Sequence, residues 1–386
     1  MLRGISVSAV SAGLLAGFVG FASSFAVILQ GLTAVGATRE QAASGLMAVS
    51  VAMGICGILL SFRTRMPISI AWSTPGAALL ATSGALPGGF AEAVGAFAIT
   101  GVLIIAAGLF RPLGRAVAAI PVPLASAMLA GVLLNLCLAP ARAVAADPLA
   151  GLAIIAAWAI VARLNRLFAV PAAVAMAVCI IVATVALPPG LLAAAWPQPV
   201  LVMPHFSLQA AIGIAVPLFI VTMASQNIPG MAVLTTNGFR PDPGRLFVWT
   251  GGFTLLSSPL GSHAVNLAAI TAALCAGPDS HPDPARRWWA AVMAGCVYIA
   301  FGLTAGAASL FIAAAPPVLI EAVAGLALLG AFGAALMGAV ADPERREAAV
   351  LTFLISGSGL SFGGIGGAFW GLLAGGAMLL LARWRR

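Results

Sequence analysis

The sequence predicts an all-α polytopic membrane protein of about fourteen transmembrane segments, arranged as two inverted sets of seven. Three observations lead there. Of the 386 residues, 62% are hydrophobic and 7% charged, against the roughly 25% charged residues of a soluble chain. Such a surface faces lipid. Apolar runs approaching the roughly 20 residues that cross a bilayer recur from one end of the chain to the other. Every basic residue is arginine, and the arginines cluster in short connections such as FRTRMP, FRPLGR, ARLNR, PARRW and ARWRR. Clusters of that kind orient spans by the positive-inside rule. The net charge of +8 therefore speaks for a bilayer partner and against nucleic acid.

The segments fall at residues 8–32, 42–61, 67–85, 90–110, 120–138, 148–162, 168–187, 208–235, 245–258, 259–276, 287–312, 317–340, 347–359 and 361–382. With a cytoplasmic N-terminus, alternation leaves Arg39 and Arg142 outside and the other sixteen arginines inside. Both termini are then cytoplasmic, and the membrane is the bacterial inner membrane. An odd-numbered half forces its copy to be inverted. Inverted repeats place a solute site near the midplane, built from discontinuous helices.

Segment 1 carries a small-polar knot in GFVGFASSFAVILQG, and its Gly13 and Gly17 suit close helix packing, as do Gly302 and Gly306 of segment 11. Its first residues hold one charge and show no cleavage pattern, so a removable leader is not expected. In segment 3, Pro67 and Pro75 bracket ISIAWST, and the residue before each proline is disfavoured in helix. Residues 68–74 are therefore expected to be extended, with a short helix starting at Pro75 and capped by Ser73 or Thr74. Glu92 and Glu321 sit near the outer ends of segments 4 and 12, as helix-start carboxylates or as proton-relay groups.

The stretch from Ile220 to Ala276 holds the sharpest polar signals. Segment 8 reads FIVTMASQNIPGMAVLTT, with Gln226 and Asn227 just ahead of Pro229 and Gly230. A buried Gln–Asn pair either glues helices or lines a solute path. In segment 10, Pro259 and Gly261 break the chain, and a helix from Ser262 would aim its N-terminus at that of segment 3. Two such ends make an anion-friendly pocket without a buried lysine or arginine. His263 lies at depth as either a packing residue or a proton carrier; His205 and His281 are loop residues. Trp288 and Trp289 follow Arg286 and Arg287 as interfacial anchors. The Gly-rich last two segments suggest a broken hairpin, and the GLSFG run there has no histidine partner or sheet for nucleophile chemistry. Five scattered cysteines and three unpaired histidines support no disulfide, metal site or cofactor.

PISIAWSTPGAALLATSG, VTMASQNIPGMAVLTTNGFRPDP and GSHAVNLAAITAALCAGPDSHPDPARRW together resemble the bacterial benzoate:proton symporter (BenE) family over nearly the whole chain. That family is similar in architecture to nucleobase–ascorbate and sulphate-type transporters. The resemblance implies short strands crossing in segments 3 and 10. It implies a core (residues 1–112 and 191–314) moving against a gate (113–190 and 315–386). Nucleobase transporters of this fold carry glutamates where this chain has Gln226 and near Val265, and both are missing here. Losing them suits an anionic substrate.

The reading is a non-enzymatic secondary transporter importing benzoate or a similar small aromatic carboxylate with a proton. The expected substrate-binding residues are Trp72, Ser73, Thr74, Gly76, Gln226, Asn227, Gly230, Ser262, His263 and Asn266, with His263 or Glu92 for proton coupling. The acid itself is the other candidate proton carrier. A nucleobase or other small-solute transporter of the same fold and an anion channel are the alternatives. A homodimer is left open.

Overall fold

Each of the fourteen expected segments carries an element in the computed structural model, which describes residues 6–110, 112, 121–185, 196–268, 270–362 and 365–384. Segment 1 comprises Val7–Ala22 and Phe25–Ala34, interrupted at Ser23–Ser24. Segment 2 is Arg39–Thr64, opened by a Thr38–Gln41 capping box and closed by left-handed Arg65. Segment 3 is strand β1, Ile70–Trp72, followed by helix Thr74–Ser83; segment 4 is Phe90–Leu109. Segments 5, 6 and 7 are Val122–Cys137, Pro148–Leu164 and Ala169–Thr184. Segment 8 runs Leu208–Thr236 and segment 9 Pro243–Ser257. Segment 10 is strand β2, Val265–Leu267, followed by helix Ile270–Ala276. Segment 11 is Trp288–Gly302 and Ala305–Ala314, bent by 56°. Segments 12, 13 and 14 are Pro317–Val340, Arg346–Gly357 and Gly367–Trp384. Strands β3, Ser361–Phe362, and β4, Ile365–Gly366, pair as the hairpin between the last two.

Repeat symmetry shows in which segments touch. Segment 4 lies along segment 9, and its inverted counterpart, segment 11, lies along segment 2. Both contacts are glycine-on-glycine: a Cβ at Gly101 or Gly251 would strike the other's carbonyl oxygen, and so would one at Gly54 or Gly295. Segments 13 and 14 pair as segments 6 and 7 do, and segments 5 and 12 pack on each other. Strand β1 pairs with β2 antiparallel, Ala71 opposite Asn266, at the centre of this arrangement. A large apolar cluster runs through segments 1–4 and 8–11 and takes in Met128, Val132 and Leu133 of segment 5, Ala324 and Leu328 of segment 12 and Ala368 of segment 14. A separate one joins segments 6, 7 and 12 through Ile154, Ala177, Ile181 and Leu319.

Two expectations change, in segment 10 and at Trp288. The segment 10 helix begins at Ile270 and not at Ser262, because Gly261, at φ +90°, turns the chain into an extended run. Segment 8 runs unbroken through Pro229 and Gly230. It stays helical by widening into a π-turn at Met223–Asn227, where Ile228 N bonds to Met223 O. The extra residue relieves the clash of a proline ring with the carbonyl four residues back. Trp288 is buried rather than interfacial, stacked on Trp289 and covered by the Arg65 guanidinium at 4.4 Å.

Candidate solute site at the strand crossing

Ser73 is the hub of the crossing. Its N–H donates to Ala264 O (3.2 Å), its carbonyl accepts from His263 Nε2 (3.1 Å), and its Oγ accepts from Gly76 N (3.1 Å) and Thr222 Oγ1 (3.0 Å). Of the two expected caps, Ser73 is the one used. At the other end of the ribbon, Ala268 N donates to Ser69 O (2.9 Å). Backbone groups at membrane depth need such partners, and the two strands supply them to each other.

Around the crossing lies a cavity of about 70 Å³, lined by Val19, Gly20, Ser23, Ser24, Ala71, Trp72, Thr74, Gln226, Ala268, Thr271 and Tyr298. Five segments contribute. Both helix starts reach it, through Thr74 and Thr271. Among the described residues no carboxylate, arginine or histidine is in the lining; its polar groups are hydroxyls, the Trp72 indole N–H and the Gln226 amide. Trp72 forms one wall, its Nε1 donating to Ser24 Oγ (2.8 Å) and its ring 5.3 Å from Phe21.

Of the expected residues, Trp72, Thr74 and Gln226 meet in this cavity. Ser73 and Gly76 stand behind it, holding the helix start; a Cβ on Gly76 would strike Leu218. Asn227 is turned to backbone, its Oδ1 accepting from Leu267 N (2.9 Å), with Nδ2 on Met223 Sδ (3.1 Å). It pins segment 8 to β2. Gly230 gives room to that same strand, since a Cβ there would strike Leu267 and the Ala268 carbonyl. Ser262, His263 and Asn266 are fully buried outside the lining, and each keeps one polar atom without a partner among the described residues: Oγ, Nδ1 and Oδ1. Because a carbonyl only accepts, the His263 proton sits on Nε2 and Nδ1 carries the free lone pair. Glu92 lies elsewhere, its Oε2 accepting from Gly88 N (3.0 Å) and its Oε1 3.5 Å from His205 Nδ1.

Tyr298, Thr271 and the Ser23–Ser24 knot are pocket residues outside the expected set. A signal existed for two of them. Tyr298 is the chain's sole tyrosine, placed inside an apolar run, and Ser23–Ser24 interrupts segment 1.

The sequence profile of the benzoate membrane transport protein (BenE) family matches residues 3–381. The chain belongs to that family. It is 40% identical over 373 residues to the inner membrane protein YdcO of Escherichia coli (strain K12), covering 95% of this chain and 93% of that one. It is 29% identical over 371 residues to the benzoate membrane transport protein of Acinetobacter baylyi, covering 96% and 94%. In fold it is similar to the murine Slc26a9 anion transporter in the inward-facing state (TM-score 0.64, 14% identity, 100% of this chain and 69% of that one). It is also similar to the transmembrane domain of the cyanobacterial bicarbonate transporter BicA (TM-score 0.59, 16% identity, 96% and 98%). Family membership makes this a membrane transporter, and the fold likeness agrees with the inverted repeat seen above.

Proposed function

We propose that the protein imports benzoate or a closely related aromatic carboxylate across the inner membrane by proton symport. The observation that carries the reading is the pocket lining: an aromatic wall, a cluster of hydroxyls and one amide, with no carboxylate to repel an anion. In this reading the ring lies against Trp72 and Tyr298. The carboxylate takes hydrogen bonds from Thr74, Thr271 and Gln226, helped by the positive ends of two short helices. The cavity is smaller than the roughly 300–1,000 Å³ of most ligand clefts, so loading requires its walls to part. Segments 1–4 and 8–11 act as the core, at residues 1–112 and 191–314, and shift against a gate formed by residues 113–190 and 315–386. Alternating access follows from that shift.

His263 is assigned the coupling role within the protein. It bonds to the helix-capping Ser73 and keeps a free Nδ1 lone pair beside the moving strands. Glu92, held by the Gly88 loop, is the weaker candidate. A second reading, uncoupled anion flux, draws on the absence of a carboxylate or histidine among the described lining residues. Purified protein in liposomes decides between them. Concentrative benzoate uptake that follows an inward proton gradient and collapses with a protonophore is the expected result. Gradient-independent equilibration would replace symport by a channel, and accumulation of uracil or xanthine instead would replace the substrate class. Loss of coupling in His263→Ala but not Glu92→Gln would place the proton as stated.

A further inference from the structure

A second and larger cavity, of about 450 Å³, opens between segments 1, 2, 11 and 12, on the face that the arginine distribution assigns to the outside. Its volume lies within the roughly 300–1,000 Å³ range of small-molecule sites. Ala26, Leu29, Ile312 and Ile320 supply apolar wall, and Gln30 a polar group. Gln30 Oε1 is buried there without a hydrogen-bond partner among the described residues. The charged residues lining the cavity are Arg39 and Glu321. Arg39 is already paired with Glu40 at 3.0 Å, both more than half exposed, and so offers little to an anion. Glu321 disfavours one.

An apolar void of about 20 Å³ adjoins this cavity, sharing Ala26, Ile312 and Ile320 with it and reaching Phe25, Phe311 and, on segment 7, Val174 and Ala177. Phe25 stacks on Phe21 (5.6 Å), which lies 5.3 Å from Trp72 in the wall of the central pocket. These rings and the aliphatic wall suit an aromatic ring, whereas a bare carboxylate against them would be left unsolvated. An undissociated carboxyl group complements a primary amide, donating its O–H to the amide oxygen and accepting from the amide N–H.

We infer that the outer cavity is a receiving site for the undissociated aromatic acid, whose carboxyl group is held by Gln30. The inference rests on the aromatic-acid reading above and adds a site and a protonation state to it. The test uses proteoliposomes of a Thr33→Cys variant in which the accessible Cys137, Cys179 and Cys296 are replaced by alanine, the buried Cys56 and Cys275 being kept. A membrane-impermeant maleimide then reports on the outer cavity. Gln226→Ala is added to weaken the central pocket. Benzoate is expected to slow labelling, with a half-protective total concentration that falls about tenfold for each pH unit lowered across the neutral range. Gln30→Leu should raise that concentration at least about tenfold, while its labelling rate without benzoate, equal to the parent's, reports an intact fold. Protection independent of pH would overturn the inference in favour of the anion. No protection, in a protein that with Gln226 restored still accumulates benzoate, would sink the outer site and leave the transport reading standing. No protection and no uptake would remove both.

Discussion

Gln226 and Asn227 are neighbours in sequence and opposites in use. Gln226 lines the central cavity with its amide, whereas Asn227 gives its oxygen to the Leu267 backbone N–H on β2. The difference is testable at single residues. Gln226→Ala should raise the KM for benzoate about tenfold or more, with little change in thermal stability, because it removes a solute contact. Asn227→Ala should cost roughly 1–3 kcal/mol of stability by orphaning a buried donor, and the protein that survives should keep its KM near the parent value. Thermal unfolding in detergent, run beside uptake kinetics, separates the two effects. Reversal of the pattern would exchange the two roles. The sequence presents both residues as one polar packet, and side-chain direction on a π-turn is not a local property.

Segments 3 and 10 show how far an element can be read from its residues. Two prolines marked β1, and Ser73 was one of two legible caps, since both effects act within a few residues. Segment 10 misleads in the same kind of reading. Pro259 and Gly261 signal a break, but the helix starts only at Ile270, after a strand whose partner lies nearly two hundred positions away. Pairing with β1 holds Val265–Leu267 extended, and no local rule carries that information. Gly261 is the pivot. Its φ of +90° strains any side chain, and a Cβ there would sit 3.2 Å from Gly45 Cα and Gln41 O, tighter than ordinary contact. Gly261→Ala is expected to destabilise by about 1 kcal/mol or more through backbone strain alone, with the contact adding to it. A melting temperature equal to the parent's would show that the chain re-routes there at no cost.

For the whole molecule, the arginine pattern makes a prediction that the fold does not. A cytoplasmic N-terminus puts the segment 1–2 connection outside and the segment 10–11 connection inside. Glu40→Cys, in the cysteine-reduced background, should react with an impermeant maleimide added to intact cells, and Asp279→Cys only after permeabilisation; both positions are exposed. The opposite labelling would invert the molecule in the bilayer and turn the outer cavity into an inner one.

Hydrophobic length and charge bias are additive along a chain, so the sequence by itself determined the fourteen segments, their alternation and the inversion of the second half. It also determined the chemistry of the centre: amide and hydroxyl groups with no carboxylate. Only the tertiary structure decided which of those groups face the central cavity. It turned Asn227 to a backbone partner, set Ser73 and His263 behind the crossing, and brought Ser24, Thr271 and Tyr298 to the cavity from three other segments. The reason is physical. At membrane depth each polar group takes whichever partner the fold brings within reach, and that partner is set by packing between distant segments.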